Sequence, residues 1–316
     1  MYLESDTVTQ TLPGRRRAHG WTGLGAVMAL CCWAASPVAA QPRVYVQVID
    51  QRTGSVVHDL HASEVMVRED GVLRPVLDVR PANLPVSLAI LVDNGPASAR
   101  AFSRVQEGLR DFVDRLPENQ PMSLLVLAPE PRWIAQDVRT AEEMRRAIDG
   151  MSVTDGSGPQ VLEGVEEAAR WLTAETAYAR PVAVLVSADA AYLYPEATER
   201  FGALTQRVRR DGITVHTLVM LSPAPGSLKR RVSVPEAIGR DLSTVTGGAF
   251  VSLFLGASLD RQLAEIADRI RARNRELARQ HLVRFERPEG AAAGPVQLTV
   301  TRLGARSTVT SDGRPR

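Results

Sequence analysis

The sequence predicts an α/β protein, a doubly wound and mostly parallel sheet flanked by a small β module built from both termini. Three observations predict it. Val86 to Val92 is an apolar run, broken only by Ser87, that ends in Asp93 and a Gly95-Pro96 turn, as suits a strand buried on both faces of a parallel sheet. Residues 84–280 alternate strand-like and helix-like stretches. Residues 41–83 and 281–316 both read as β, and neither is long enough to build a good core alone.

In chain order, Val44, Val46 and Val48 alternate with Tyr45 and Gln47 in a strand ending at Asp50, and residues 51–55 form a turn. Val65 to Glu69 leads into Asp70-Gly71 and returns through Val72-Leu73. Asp-Gly is a strong two-residue hairpin signal, because a type I′ turn needs positive φ at both central positions. Pro81 and Pro85 bracket the exit into the central block. There the predicted strands are 86–93, 122–128, 182–187, 214–220 and 249–253, with a short edge strand at Trp133-Ile134. The predicted helices are 99–116, 140–151, 161–177, 195–210, 235–245 and 259–279. The last carries Leu259, Leu263, Ile266 and Ile270 at helical spacing behind Ser258, taken as its N-cap. The final block supplies strands at 282–285, 296–301 and 307–310 around a loop from Pro288 to Pro295. The terminal blocks are expected to pair, which makes 84–280 an insertion between 41–83 and 281–316.

The 316 residues are enough for a sizeable core. With 44% apolar residues and 5% aromatics, that core must be built from Ala, Val, Leu and Ile. Net charge is +2 with the signs interspersed, so neither a nucleic acid nor a membrane surface is implied as a partner.

Residues 1–40 read as a signal peptide. Arg15 to Arg17 form its positive region, Gly23 to Ala35 its apolar region, and Val38-Ala39-Ala40 a small-residue site with cleavage after Ala40. The apolar stretch is short for a bilayer span, so no integral membrane segment is expected after cleavage. The expected location is periplasmic or secreted. Both cysteines, Cys31 and Cys32, lie in this segment. The remainder has none, which excludes disulfides, thiolate metal sites and cysteine nucleophiles.

Several stretches resemble those of bacterial secreted proteins related to the von Willebrand factor type A (VWA) domain. The first block resembles theirs at Val48-Ile49-Asp50, Leu60, Ser63 to Val67 and Glu69-Asp70-Gly71. The central block does so at Leu88 to Asp93, Gly212 to His216 and Thr246 to Phe250, followed by an Ile-rich helix. The resemblance implies a metal-ion-dependent adhesion site, in which two Ser, a Thr and two Asp supply oxygen to a divalent cation, as Mg²⁺ requires. The first loop of that pattern reads Asp93, Gly95 and Ala97 here. Gln160 stands at the Thr position and Ala188 at the second Asp position. One of five positions keeps its usual ligand, so the site is expected to be degenerate, with no cofactor. The alternative is a rebuilt Mg²⁺ or Mn²⁺ site drawing on Asp93, Ser98, Asp155 and Asp189.

Other signals are weaker. His216 alternates with Thr214 in a strand and reads as a satisfied, half-buried histidine. His58 and His61 lie in an exposed loop without a Cys or carboxylate cluster. Ser187 lacks the glycines of a nucleophile elbow. No Gly-x-Gly-x-x-Gly after a strand and no Walker A loop occur, so nucleotide binding has no support. The resulting expectation is a non-enzymatic, exported binding or scaffold protein. Its protein partner would meet the carboxyl-end rim of the sheet through Asp93, Asn94, Ser98, Gln160, Asp189, Tyr192 and Tyr194, with a basic loop at 222–231 on the same rim. Two alternatives stand beside it: metal-dependent adhesion through displaced ligands, and an exported hydrolase, for which no nucleophile and base are found.

Overall fold

The computed structural model describes residues 42–156, 158–175, 179–189, 197–221, 233–254, 258–288 and 290–310. The predicted signal peptide, Tyr192, Tyr194 and the basic loop lie outside the described residues.

The chain opens with strand β1 (Arg43–Asp50), whose Val44, Val46 and Val48 are buried on alternate positions. Asp50 Oδ1 accepts from the backbone N–H of Arg52 (2.9 Å) and Thr53 (2.8 Å), which closes the predicted turn. Strands β2 (Val65–Glu69) and β3 (Val72–Arg74) are joined by Asp70-Gly71 with φ of 51° and 77°, the left-handed pair that the hairpin demands. A fourth strand, β4 (Val76–Pro81), was not anticipated; it follows Pro75 and its alternation is only half buried.

The central block begins with β5 (Val86–Val92), buried at every position. It continues through α1 (Phe102–Asp114), β6 (Met122–Val126), β7 (Arg132–Val138), α2 (Ala141–Asp149) and α3 (Val161–Glu175). Next come β8 (Arg180–Ala188), α4 (Ala197–Arg210), β9 (Thr214–Leu221), α5 (Val234–Thr246), β10 (Phe250–Phe254) and α6 (Leu259–Leu277). Trp133-Ile134 belongs to a full seven-residue antiparallel edge strand, longer than expected. Thr140 caps α2 by accepting from Glu143 N–H (3.2 Å), and Ser233 caps α5 by accepting from Glu236 N–H (3.3 Å). Ser258 does not cap α6. Its φ of 63° is left-handed and turns the hydroxyl away from the helix amides; the oxygen accepts from Arg261 Nη2 instead.

The six strands run in the order β10-β9-β8-β5-β6-β7, parallel except for β7. From β5 the chain winds first toward β6 and β7, then returns to β8 and continues toward β10. The direction of winding therefore reverses between β5 and β8, where doubly wound sheets bind ligands at the carboxyl ends of their strands. Leu88, Ile90 and Val92 pack with α1, α2 and α6, while Ala89 and Leu91 pack with α3, α4 and α5. That two-sided burial explains why β5 reads as an apolar run.

The chain ends in β11 (His281–Phe285), β12 (Val296–Val300) and β13 (Ala305–Thr310). β1 pairs with β11 and β13, β11 with β4, and β12 with β2, all antiparallel. Two sheets result, β13-β1-β11-β4 and β12-β2-β3, closed over a core that includes Val46, Val67, Val283, Phe285 and Leu298. The termini thus build one β module, as expected. Among the described residues, no helix is long and apolar enough to cross a membrane.

Candidate functional site

The winding reversal puts the ends of β5 and β8 side by side, and Asp93 follows β5 at that point. Its own N–H donates to Val186 O (2.9 Å), and its side chain is fully buried. Oδ1 accepts from Gly95 N–H (2.8 Å). Oδ2 accepts from Ala188 N–H (3.0 Å) and, more distantly, from Ser187 Oγ (3.4 Å). Burial raises the Asp93 pKa above the ordinary carboxylate value, against the opposing pull of the bonds from Ala188, Gly95 and Ser187.

Asn94 is used as completely. Its Nδ2 donates to Ser152 O (3.1 Å) and Thr154 Oγ1 (3.0 Å), and its Oδ1 accepts from Ala128 N–H (2.9 Å). Its backbone O accepts from Thr154 N–H (2.8 Å). One side chain therefore ties the loop after β5 to the end of β6 and to the loop before α3. Ser98 is buried and donates from Oγ to Gly95 O (2.7 Å), which closes the turn into α1.

Of the other predicted site residues, Gln160 and Asp189 are half-buried, and Asp155 is exposed just beyond Thr154. Gln160 is held by its backbone, with N–H donating to Leu127 O (2.9 Å). Asp189 N–H donates to Met220 O (2.7 Å), which docks the loop after β8 against β9. Asp93, Asn94 and Ser98 thus form one buried network, and Gln160 and Asp189 flank it. Sequence reasoning weighed Ser187 only as a nucleophile and gave Thr154 no part of its own; both are members of the network. The signal that could have found them is a polar residue directly after, or between, buried positions. His216 is buried rather than half-buried, and its Nδ1 accepts from Ala249 N–H (3.0 Å).

The donor set differs from the oxygen shell that the resemblance implies. Both oxygens of Asp93 are engaged by N–H donors, and Ala188 offers an N–H where the pattern has a carboxylate. A Cβ on Gly95 would stand 3.3 Å from Pro159 Cδ and 3.2 Å from Asp93 Oδ1, a tight fit for a serine at that position. Among the described residues, no three His, Cys, Asp or Glu side chains gather closely enough to hold a metal.

No family model matches the sequence, and no curated protein matches it. Solved structures do. BatB from Bacteroides thetaiotaomicron is 15% identical over 59% of this chain and 99% of its own, with a TM-score of 0.45. An aerotolerance-related membrane protein from Bacteroides fragilis is 16% identical over 58% and 99%, with a TM-score of 0.44. Proximal thread matrix protein 1 from the mussel byssus, in a structure described as having a zinc-occupied metal-ion-dependent adhesion motif, is 13% identical over 67% and 50%, with a TM-score of 0.47. The strand order, the antiparallel edge strand and an aspartate at the point of winding reversal define a Rossmann-like α/β domain, similar in fold to these VWA-related structures. The positions where the resemblance implies adhesion-site ligands hold the hydrogen-bonded network described above.

Proposed function

We propose that this chain is an exported, non-enzymatic binding or scaffold protein that meets a protein partner through the carboxyl-end rim of its VWA domain, without a metal ion. The observation that carries the reading is the saturation of Asp93, whose two carboxylate oxygens bind the N–H groups of Gly95 and Ala188. A carboxylate used in this way ties the loop after β5 to the end of β8. Loops held at the carboxyl ends of a buried sheet suit recognition by shape and polar contact. The signal-peptide pattern of residues 1–40 supports export.

The test is capture of partners by the purified chain with EDTA and with Mg²⁺, alongside a rim variant carrying Gln160→Arg and Asp189→Arg. Capture that is indifferent to EDTA and lost in the rim variant, with an unchanged melt, supports the proposal. Capture that needs Mg²⁺ or Mn²⁺ returns the reading to metal-dependent adhesion through displaced ligands. Hydrolysis of an ester, glycoside or peptide by the purified chain would overturn the non-enzymatic assignment.

A further inference from the structure

At the amino ends of β8 and β9, the opposite edge of the sheet from Asp93, a cleft of about 540 Å³ opens between the VWA domain and the terminal β module. Such a volume is typical of small-molecule sites. Five arginines line it: Arg43 from β1, Arg180 from the start of β8, Arg209 and Arg210 from the end of α4, and Arg273 from α6. No aspartate or glutamate stands among its described lining residues, in a chain whose net charge is only +2.

Carboxylates outside the lining neutralise part of this charge. Arg273 Nη1 donates to Glu276 Oε2 (3.0 Å), and Arg210 Nε to Asp211 Oδ1 (3.3 Å). Arg180 is in a different position. Its Nη2 donates to Asn274 Oδ1 (2.5 Å), a neutral acceptor, and its Nε is buried with no acceptor among the described residues. Burial, then the neighbouring charge of Arg273, bring its pKa down to about 10, with Tyr45 opposing. A buried guanidinium without a counter-anion is unfavourable, and an arriving anion relieves it.

Arg43 reaches the same cleft by lying on the turn between α4 and β9. Gly212 has φ +70°, which favours glycine in that turn, and the tip of the Arg43 side chain lies against it. Another part of the wall is apolar, formed by Ala82, Leu84, Ile213 and Leu277.

We propose that this cleft is a binding site for a small organic phosphate carrying more than one negative charge, its phosphate among the arginines and its organic part against Leu84 and Leu277. Guanidinium forks pair with carboxylate and phosphate alike. A carboxylate presents two oxygens in one plane, whereas a phosphate presents acceptors on several sides. A phosphate therefore suits a cleft lined by guanidiniums from β1, α4, α6 and β8 better than a single carboxylate does.

Isothermal titration of the full chain with inorganic pyrophosphate, fructose 1,6-bisphosphate and citrate, at constant ionic strength, tests this. The expected result is saturable one-to-one binding of both phosphates and weaker binding of citrate. Arg180→Gln should weaken phosphate binding about tenfold or more, the loss of one charge-assisted contact. If that variant melts early, Arg43→Gln with Arg209→Gln, both on partly exposed side chains, carries the test. Arg104→Gln, on α1 and outside the cleft, should change nothing. Citrate binding as tightly as the phosphates would overturn the phosphate assignment. Binding that survives the arginine variants, or that vanishes at physiological salt, would assign the effect to diffuse surface charge and overturn the site itself.

Discussion

Asp93 Oδ2 accepts the backbone N–H of Ala188 at 3.0 Å, a bond that spans 95 residues and joins the carboxyl ends of β5 and β8. The two strands lie side by side in register, from Val86 with Arg180 to Val92 with Val186, but the chain turns away from their shared end in opposite directions. The backbone joins them last through Asp93 N–H and Val186 O (2.9 Å), and the side chain of Asp93 carries the link on to Ala188. Asp93 is thus a tie between the two strands at the carboxyl end of the sheet.

Asp93→Ala should therefore destabilise the fold itself. Two buried N–H donors, those of Gly95 and Ala188, lose their acceptors, at a cost of about 2–4 kcal/mol in total. In a thermal melt this is a fall of roughly 5–15 °C. Asp93→Asn keeps the shape but offers one acceptor oxygen in place of two, and should fall between wild type and Ala. A variant that melts like wild type would show that the tie carries no stability.

Serines at positions 95 and 97 should not create a metal site. Gly95→Ser puts a Cβ 3.3 Å from Pro159 Cδ and 3.2 Å from Asp93 Oδ1, and overpacking of this kind costs about 1–3 kcal/mol. The double variant Gly95→Ser with Ala97→Ser is expected to melt below wild type, and identically in EDTA and in millimolar Mg²⁺ or Mn²⁺. A cation bound only by the folded state at about 100 times its Kd would add roughly 2.7 kcal/mol, so a genuine site could not go unseen.

Much of the architecture was legible in local pattern. The apolar run of β5 demanded burial on both faces, and Asp70-Gly71 demanded a hairpin with two positive φ values. Pairing of the terminal blocks followed from their shortness, and β1 does lie between β11 and β13. What escaped was set by tertiary context. β4 and β7 carry mixed, half-buried residues whose strand character comes from their neighbours, β11 and β6. Ser258 has the chemistry of a cap but the backbone angle of a left-handed turn. The role of Asp93 could not be read locally, because the N–H it serves at Ala188 belongs to a strand that a helical excursion brings back beside it.

Glu69 is a second buried carboxylate, and it ties the two terminal blocks of the chain together. It sits fully buried at the end of β2, where Oε1 accepts from Arg287 Nε (2.9 Å), and Arg74 Nε lies 3.4 Å from Oε2. Removing one partner of a buried pair strands the other charge. Glu69→Leu should cost about 3 kcal/mol in urea unfolding. Glu69→Leu combined with Arg287→Leu should cost less than Glu69→Leu alone. A double variant as unstable as the sum of both singles would mean that the pair contributes no coupling.

His281 makes the β module acid-sensitive. On β11 its Nε2 lies 3.2 Å from His58 O, the geometry of a donor to that carbonyl, and its Nδ1 is buried with no partner among the described residues. Burial holds its pKa below the usual 6.5; the His58 carbonyl opposes this, the charges of His58 and Arg302 reinforce it, and Asp59 opposes it more weakly. Between the folded value and about 6.5 the unfolded chain holds more protons than the folded one, so stability falls as pH drops below about 6.5. Asp93 acts in the opposite sense: its raised pKa means that stability is lost as pH rises from 3.8 through the folded value. Glu64, held down to about 2 chiefly by Arg302, loses its contribution only as pH falls below about 4.5. Urea midpoints of wild type and His281→Gln between pH 8 and pH 5 separate the histidine from both carboxylates. Wild type should lose midpoint across that range, and the variant, lower at pH 8 through its altered contact with His58, should lose less. Parallel curves for the two proteins would place the acid sensitivity elsewhere.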